Sequence, residues 1–248
     1  MALTNYNYGW FYTDEQGLTS SSRSAYLWSF YYDMLRNINM VINQVTQQSD
    51  ITKKIAQYGF PTIGYDVLDA DGNVVYSYTE AEVDACGYYA QALTLRGYAY
   101  YQICQLFNPT IKQISESSKW EDWVAEPIYT ETNYDQPQGL SPLKNMYNQV
   151  EEDLGNAIMY FEGFEYLLAR GGKLEVDVNV ARALLAYNYL NKTAGRSLSV
   201  VKEELNRAVE LCDDVIASGA HSVHPDNELT SRGFNDVNTP CWMWGQDV

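Results

Sequence analysis

Apolar residues recur along this chain at helical spacing in five places. The first stretch, about Ser24 to Val45, carries Leu27, Tyr31, Met34, Leu35, Ile38, Val41, Ile42 and Val45 in steps of three and four. Such steps line one face of a helix. Ser20, Ser21 and Ser22 offer N-caps before it. The second stretch, Glu80 to Phe107, opens on Thr79 and three acids, Glu80, Glu82 and Asp84, which suit the positive end of a helix dipole. Small residues (Ala85, Gly87, Ala90, Ala92, Gly97, Ala99) then alternate with Tyr88, Tyr89, Tyr98, Tyr100 and Tyr101. A neighbouring helix can approach the small positions while the large ones fill the groove beside it. Asn108-Pro109 ends this helix.

A third helix is predicted to start near Ser141 with Pro142 in its first turn, continuing through Met146, Val150, Leu154 and Ile158. A fourth runs about Val178 to Thr193. The fifth, Ser199 to Ala217, has Leu205, Ala208, Val209, Cys212, Val215 and Ile216 as its stripe. Between the first two helices, apolar runs flank Asp71-Gly72, which reads as a β-hairpin. Asp69, Asp71, Asn73 and Glu80 have EF-hand-like spacing, but Gly72 stands two places too early for a calcium loop. The segment from Pro109 to Gly139, with Trp120 and Trp123, reads as a long loop. Paired helices with interleaved small and large residues suggest stacked helical hairpins, and Ala85, Tyr89 and Ala92 share the spacing of a tetratricopeptide unit's second helix. The expected fold is mostly α, with tetratricopeptide-like hairpins, loop-rich excursions and one small β-hairpin, as a single domain over 1–248. The closing Trp242-Met243-Trp244 cluster asks for cover, so the domain is expected to continue beyond Val248.

Charge narrows the partners. The 32 acidic and 16 basic side chains give a net charge of −16, which repels phosphate backbones and anionic lipid surfaces, so no nucleic acid is expected. No stretch approaches the length of a membrane helix. Cys86, Cys104, Cys212 and Cys241 lack CxxC spacing; the first three fall in predicted helices and read as buried thiols.

Aromatic content is the anomaly, with 22 Tyr, 6 Trp and 7 Phe. Tyrosine suits damp surfaces, so the excess fits either loosely packed helical layers or a surface that stacks on sugars or peptides. Tyr6, Tyr8, Trp10, Phe11 and Tyr12, followed by Asp14, lie outside any periodic helix. Rings there can stack on sugar C–H faces while Asp14 accepts hydroxyl hydrogen bonds. Trp10, Phe11, Tyr12 and Asp14 are therefore candidate ligand residues, with packing into a loop layer as the alternative. Trp120 and Trp123 form a second candidate pair that could equally meet a protein partner. Trp242 and Trp244 read as core.

Other chemistry finds no footing. His221 and His224, with Glu228 nearby, lack metalloprotease spacing and read as loop residues. Glu151-Glu152, Glu203-Glu204 and Asp213-Asp214 read as solvated helix faces beside apolar stripes, not as glycosidase carboxylates. No nucleophile elbow, dinucleotide fingerprint or phosphate loop is present. No catalytic residue, metal or cofactor is expected.

Six segments, in order, resemble the SusD/RagB family of outer-membrane nutrient-binding lipoproteins: 36–42 (RNINMVI), 95–107 (LRGYAYYQICQLF), 126–131 (EPIYTE), 146–157 (MYNQVEEDLGNA), 181–190 (ARALLAYNYL) and 208–219 (AVELCDDVIASG). Asn108 stands where the family has glycine. The resemblance implies a tetratricopeptide-helix scaffold at the cell surface, lipid-anchored in the intact protein. It further implies capture of oligosaccharide, or of oligopeptide in the RagB branch, for a SusC-type TonB-dependent transporter. Family chains are about twice this length, so the resemblance covers roughly the N-terminal half. A helical protein-interaction scaffold without small ligand is the rival from a different class.

Overall fold

The computed structural model describes residues 22–115, 119–165, 167–168, 172–224, 226 and 239–245. Its helices are α1 (Ser22–Ser49), α2 (Ile51–Tyr58), α3 (Glu80–Phe107), α4 (Ile111–Ser115), α5 (Leu143–Gly163), α6 (Val178–Thr193) and α7 (Leu198–Ala217). Two antiparallel strand pairs accompany them, β1 (Asp66–Leu68) with β2 (Val74–Ser77), and β3 (Val124–Ala125) with β4 (Ser141–Pro142). This is the mostly α, helical-hairpin fold expected.

α3 is the central helix, packed on α1 and α5; α6 covers α5 and is covered by α7. Thr79 and Glu82 close a reciprocal capping box at the start of α3, satisfying two backbone N–H groups that the helix leaves unpaired. The small residues of α3 set its closeness to α5. A Cβ on Gly97 would stand 2.7 Å from Leu154 Cγ on α5, and one on Gly87 would stand 2.8 Å from Leu168 Cδ2, just past the end of α5. One cluster of buried side chains joins α1, α3, α5 and α6 through Leu35, Ile42, Leu93, Tyr100, Leu154 and Leu185. A second, around the hairpin, gathers Ile51, Val67, Tyr78, Cys86 and Phe164.

Several local expectations are corrected. α1 runs on to Ser49 and breaks at Asp50, whose φ of +50° ends the helix before the unforeseen α2. Val41, expected in the stripe, is exposed, whereas Asn39 is fully buried. Ser141-Pro142 forms β4, so α5 begins at Leu143. The Asp71-Gly72 hairpin is present, and Asp69 Oδ1 accepts backbone N–H groups from Asp71 (2.9 Å) and Asn73 (2.8 Å). That carboxylate closes the turn itself. On α7, Val209 and Ile216 are 58% and 75% exposed and Cys212 is also exposed, so the expected stripe and buried thiol are only partly realised. Cys86 and Cys104 are buried and free. No helix among the described residues is long and apolar enough to cross a membrane.

Candidate functional site

Four of the chain's segments meet at one buried guanidinium. Arg96, on α3, is 4% exposed. Its Nε and Nη2 donate to the two carboxylate oxygens of Asp153 on α5 (2.8 and 2.6 Å), a fork-to-fork pair. Its Nη1 donates to Asn39 Oδ1 on α1 (2.9 Å) and to Glu131 (2.5 Å). Burial alone would lower the guanidinium's pKa, but Asp153 and Glu131 outweigh it and hold Arg96 charged. Burial pushes the Asp153 carboxyl up, against the pull of Arg96 and Gln149. A buried ion pair of this kind tolerates loss of neither partner.

The same helices hold the backbone that follows β3. Asn39 Nδ2 donates to the Tyr129 carbonyl (3.0 Å), and Asn43 Nδ2 to the Glu131 carbonyl (3.1 Å). The Tyr100 hydroxyl donates to the Tyr129 carbonyl (2.7 Å) and accepts the Tyr129 N–H (2.6 Å). Tyr32 donates to the Pro127 carbonyl (3.0 Å). Segment 127–131 has neither helix nor ladder to satisfy it, and these side chains do so instead.

What this support positions is a cavity of about 450 Å³ between α1 and segment 127–137. Trp28, Tyr32, Asp33 and Arg36 line it from α1, and Tyr32 also packs against the core that holds Leu35 and Ile42. Pro127, Tyr129, Tyr134, Asp135, Gln136 and Pro137 line it from the loop. Trp28 is 38% exposed and meets Tyr32 at 4.6 Å between ring centroids and Phe107 edge-on at 5.3 Å. Tyr32 meets Tyr129 edge-on at 5.9 Å. Beneath, Glu126 is buried and accepts a hydrogen bond from Asn108 Nδ2 (2.7 Å); burial raises its carboxyl above the usual range. Partly exposed rings beside two carboxylates, a guanidinium and an amide can stack on a ring and pair with hydroxyls at its edge.

The residues expected to bind ligand fare differently. Trp10, Phe11, Tyr12 and Asp14 lie outside the described residues. Trp120 is buried, edge-on to Tyr147 at 5.9 Å and under the Arg196 guanidinium at 5.5 Å, where it serves as packing. Trp123 is 37% exposed, and its carbonyl accepts the N–H of Leu143 (2.7 Å). Neither lines the cavity. Trp244 meets Tyr98 edge-on at 5.3 Å and is half-buried. Glu151, read as solvated, instead accepts from Lys192 (2.6 Å) and Tyr189 (2.8 Å) on α6. Among the described residues no group of three or more metal-ligating side chains comes together.

Neither a protein-family model nor a curated protein matches the sequence. Solved structures do match. A SusD-like carbohydrate-binding protein from Bacteroides vulgatus is 25% identical over 66% of this chain and 30% of its own, with a TM-score of 0.51. A SusD superfamily protein from Bacteroides thetaiotaomicron is 18% identical over 82% and 35%, with a TM-score of 0.53. The chain has a SusD-superfamily fold. A structure solved with xylogluco-oligosaccharide reaches a TM-score of 0.58 at 18% identity, over 95% of this chain and 37% of its own. The chain thus spans between 30% and 37% of these SusD-like and sugar-complexed relatives. Four of the six segments that resemble the family are those that meet at Arg96: Asn39, Arg96, Glu131 and Asp153 each come from a different one.

Proposed function

We propose that this SusD-like chain binds oligosaccharide in the cavity between α1 and segment 127–137, and belongs to a cell-surface carrier that hands glycan to a SusC-type TonB-dependent transporter. The observation that carries this reading is the set of half-open rings, Trp28, Tyr32, Tyr129 and Tyr134, facing one space with Asp33, Arg36, Asp135 and Gln136. The carbohydrate-binding name of the Bacteroides vulgatus relative and the xylogluco-oligosaccharide in another support it. Capture proceeds by stacking and hydrogen bonding, with no bond cleaved. Trp10, Phe11, Tyr12 and Asp14 are further proposed contacts. Anchoring at the outer membrane is through a lipid on the intact protein.

Calorimetric titration of the full chain with an oligosaccharide panel tests the reading. Saturable binding that weakens in Trp28→Ala is expected, and Trp10→Ala asks the same of the N-terminal rings. Absence of binding to every glycan offered would return the chain to the scaffold class. Unchanged oligosaccharide profiles after long incubation are expected; appearance of shorter products would make it a hydrolase.

A further inference from the structure

We infer that this cavity selects uncharged oligosaccharides and turns away glycans that carry carboxylates or sulfates. The inference rests on the saccharide-binding reading above and concerns the charge of the ligand. Among the described residues, Arg36 is the only cation lining the space, and it shares that lining with two carboxylates, Asp33 one turn before it and Asp135 from the loop. Arg96, which helps hold the loop, is already consumed, because it gives its donors to Asp153, Glu131 and Asn39. Glu126, adjoining the lining residue Pro127, is met by the neutral Asn108. The chain as a whole carries −16.

A neutral sugar can use this lining in full. Its hydroxyls can donate to Asp33 and Asp135 and accept from Arg36 and Gln136, and the sugar brings no formal charge of its own to be stripped of water. A uronate could engage Arg36 through paired hydrogen bonds. It would do so beside two like charges and against the field of the whole chain. The local sum is one positive against two negative, so repulsion prevails.

The test compares size-matched ligands on the full chain: neutral cello-, xylogluco-, manno- and malto-oligosaccharides against oligogalacturonates, by calorimetry at low and high salt. At low salt, oligogalacturonate is expected to bind at least about tenfold more weakly than the best neutral ligand. Asp33→Asn with Asp135→Asn, near-isosteric and checked for an unchanged melting temperature, should narrow that ratio about tenfold at low salt by strengthening oligogalacturonate binding itself, and less at high salt. Oligogalacturonate binding as tightly as the best neutral ligand, or a ratio unmoved by the double substitution, would overturn the inference while leaving saccharide binding intact. A chain that binds neither class removes the saccharide reading itself, and the inference with it.

Discussion

Two regions of this molecule are rich in rings and use them in opposite ways. Around the β1–β2 hairpin the rings consume one another's faces. Tyr58 and Tyr76 stack at 4.4 Å and 8°, Tyr76 meets Tyr78 edge-on at 4.9 Å, and Tyr78 meets Phe164 edge-on at 5.1 Å. Tyr78 is 3% exposed, and its hydroxyl is spent on the Gly59 carbonyl (2.6 Å). Around the cavity, hydroxyls are likewise tied to backbone, as Tyr32 is to Pro127, and Tyr32 also meets Trp28 and Tyr129, but these rings line a space where Trp28 stays 38% exposed. The tyrosine excess therefore has no single explanation. Rings that close around a buried Tyr78 and Phe164 build a core, whereas rings held beside a loop by polar ties keep part of their surface for something else.

That contrast can be broken first on its packed side. Phe164→Ala should cost about 3–5 kcal/mol by removing the ring against which Tyr78 and Phe60 pack, read by denaturant unfolding. Glycan affinity of the folded fraction should hold. The cavity side has its counterpart in Arg96→Met, which strands Asp153 without a cation and should also cost about 3–5 kcal/mol. Here binding should fall with stability, because the same network holds Tyr129 and Glu131. A loss below about 1 kcal/mol would mean that the guanidinium does not hold the wall.

A smaller effect is expected from Trp28→Ala, about tenfold in glycan affinity with little change in melting temperature, since the ring is partly open. The subtlest distinction lies in acid. Burial alone would raise the Glu82 carboxyl. However, the Lys54 ammonium, the Thr79 N–H and hydroxyl and the Tyr76 hydroxyl together bring it from 4.5 to about 2. A carboxylate depressed in the folded state stabilises fully above its ordinary value, and that contribution is lost as pH falls from about 4.5 towards 2. Hairpin-side stability, followed by hydrogen exchange of the α3 N-terminus, should decline across that interval. Glu82→Gln, losing about 1 kcal/mol at neutral pH, should flatten it.

What could be read from the sequence follows from how local each signal is. The bounds of α3 are those expected, because Thr79, Glu82 and Asn108-Pro109 act within a turn of the helix they limit. α6 likewise matches, with Asp177 accepting the Val180 N–H at its start (2.9 Å). The Asp-Gly hairpin also declares itself locally. α2 was hidden because one left-handed residue, Asp50, decides where α1 stops. The polar hub was hidden differently. Asn39, Arg96 and Asp153 sit among apolar positions of α1, α3 and α5, and a polar residue on an apolar stripe is a signal only when its partner is known. Those partners lie 57 residues apart in sequence. The cavity joins Trp28 to Tyr134 across still greater separation, so spacing along the chain could not assemble it. Trp120 drew notice as a loop tryptophan, yet the strand pairing of Val124-Ala125 with Ser141-Pro142 folds that loop onto α5.

The most direct measurement is calorimetry of the full chain and of Trp28→Ala with the tightest-binding member of a neutral oligosaccharide panel, alongside each protein's melting temperature. The expected result is one saturable site, weakened about tenfold or more by the substitution while melting changes little. Equal affinity in the two proteins would contradict placement of the ligand between α1 and segment 127–137.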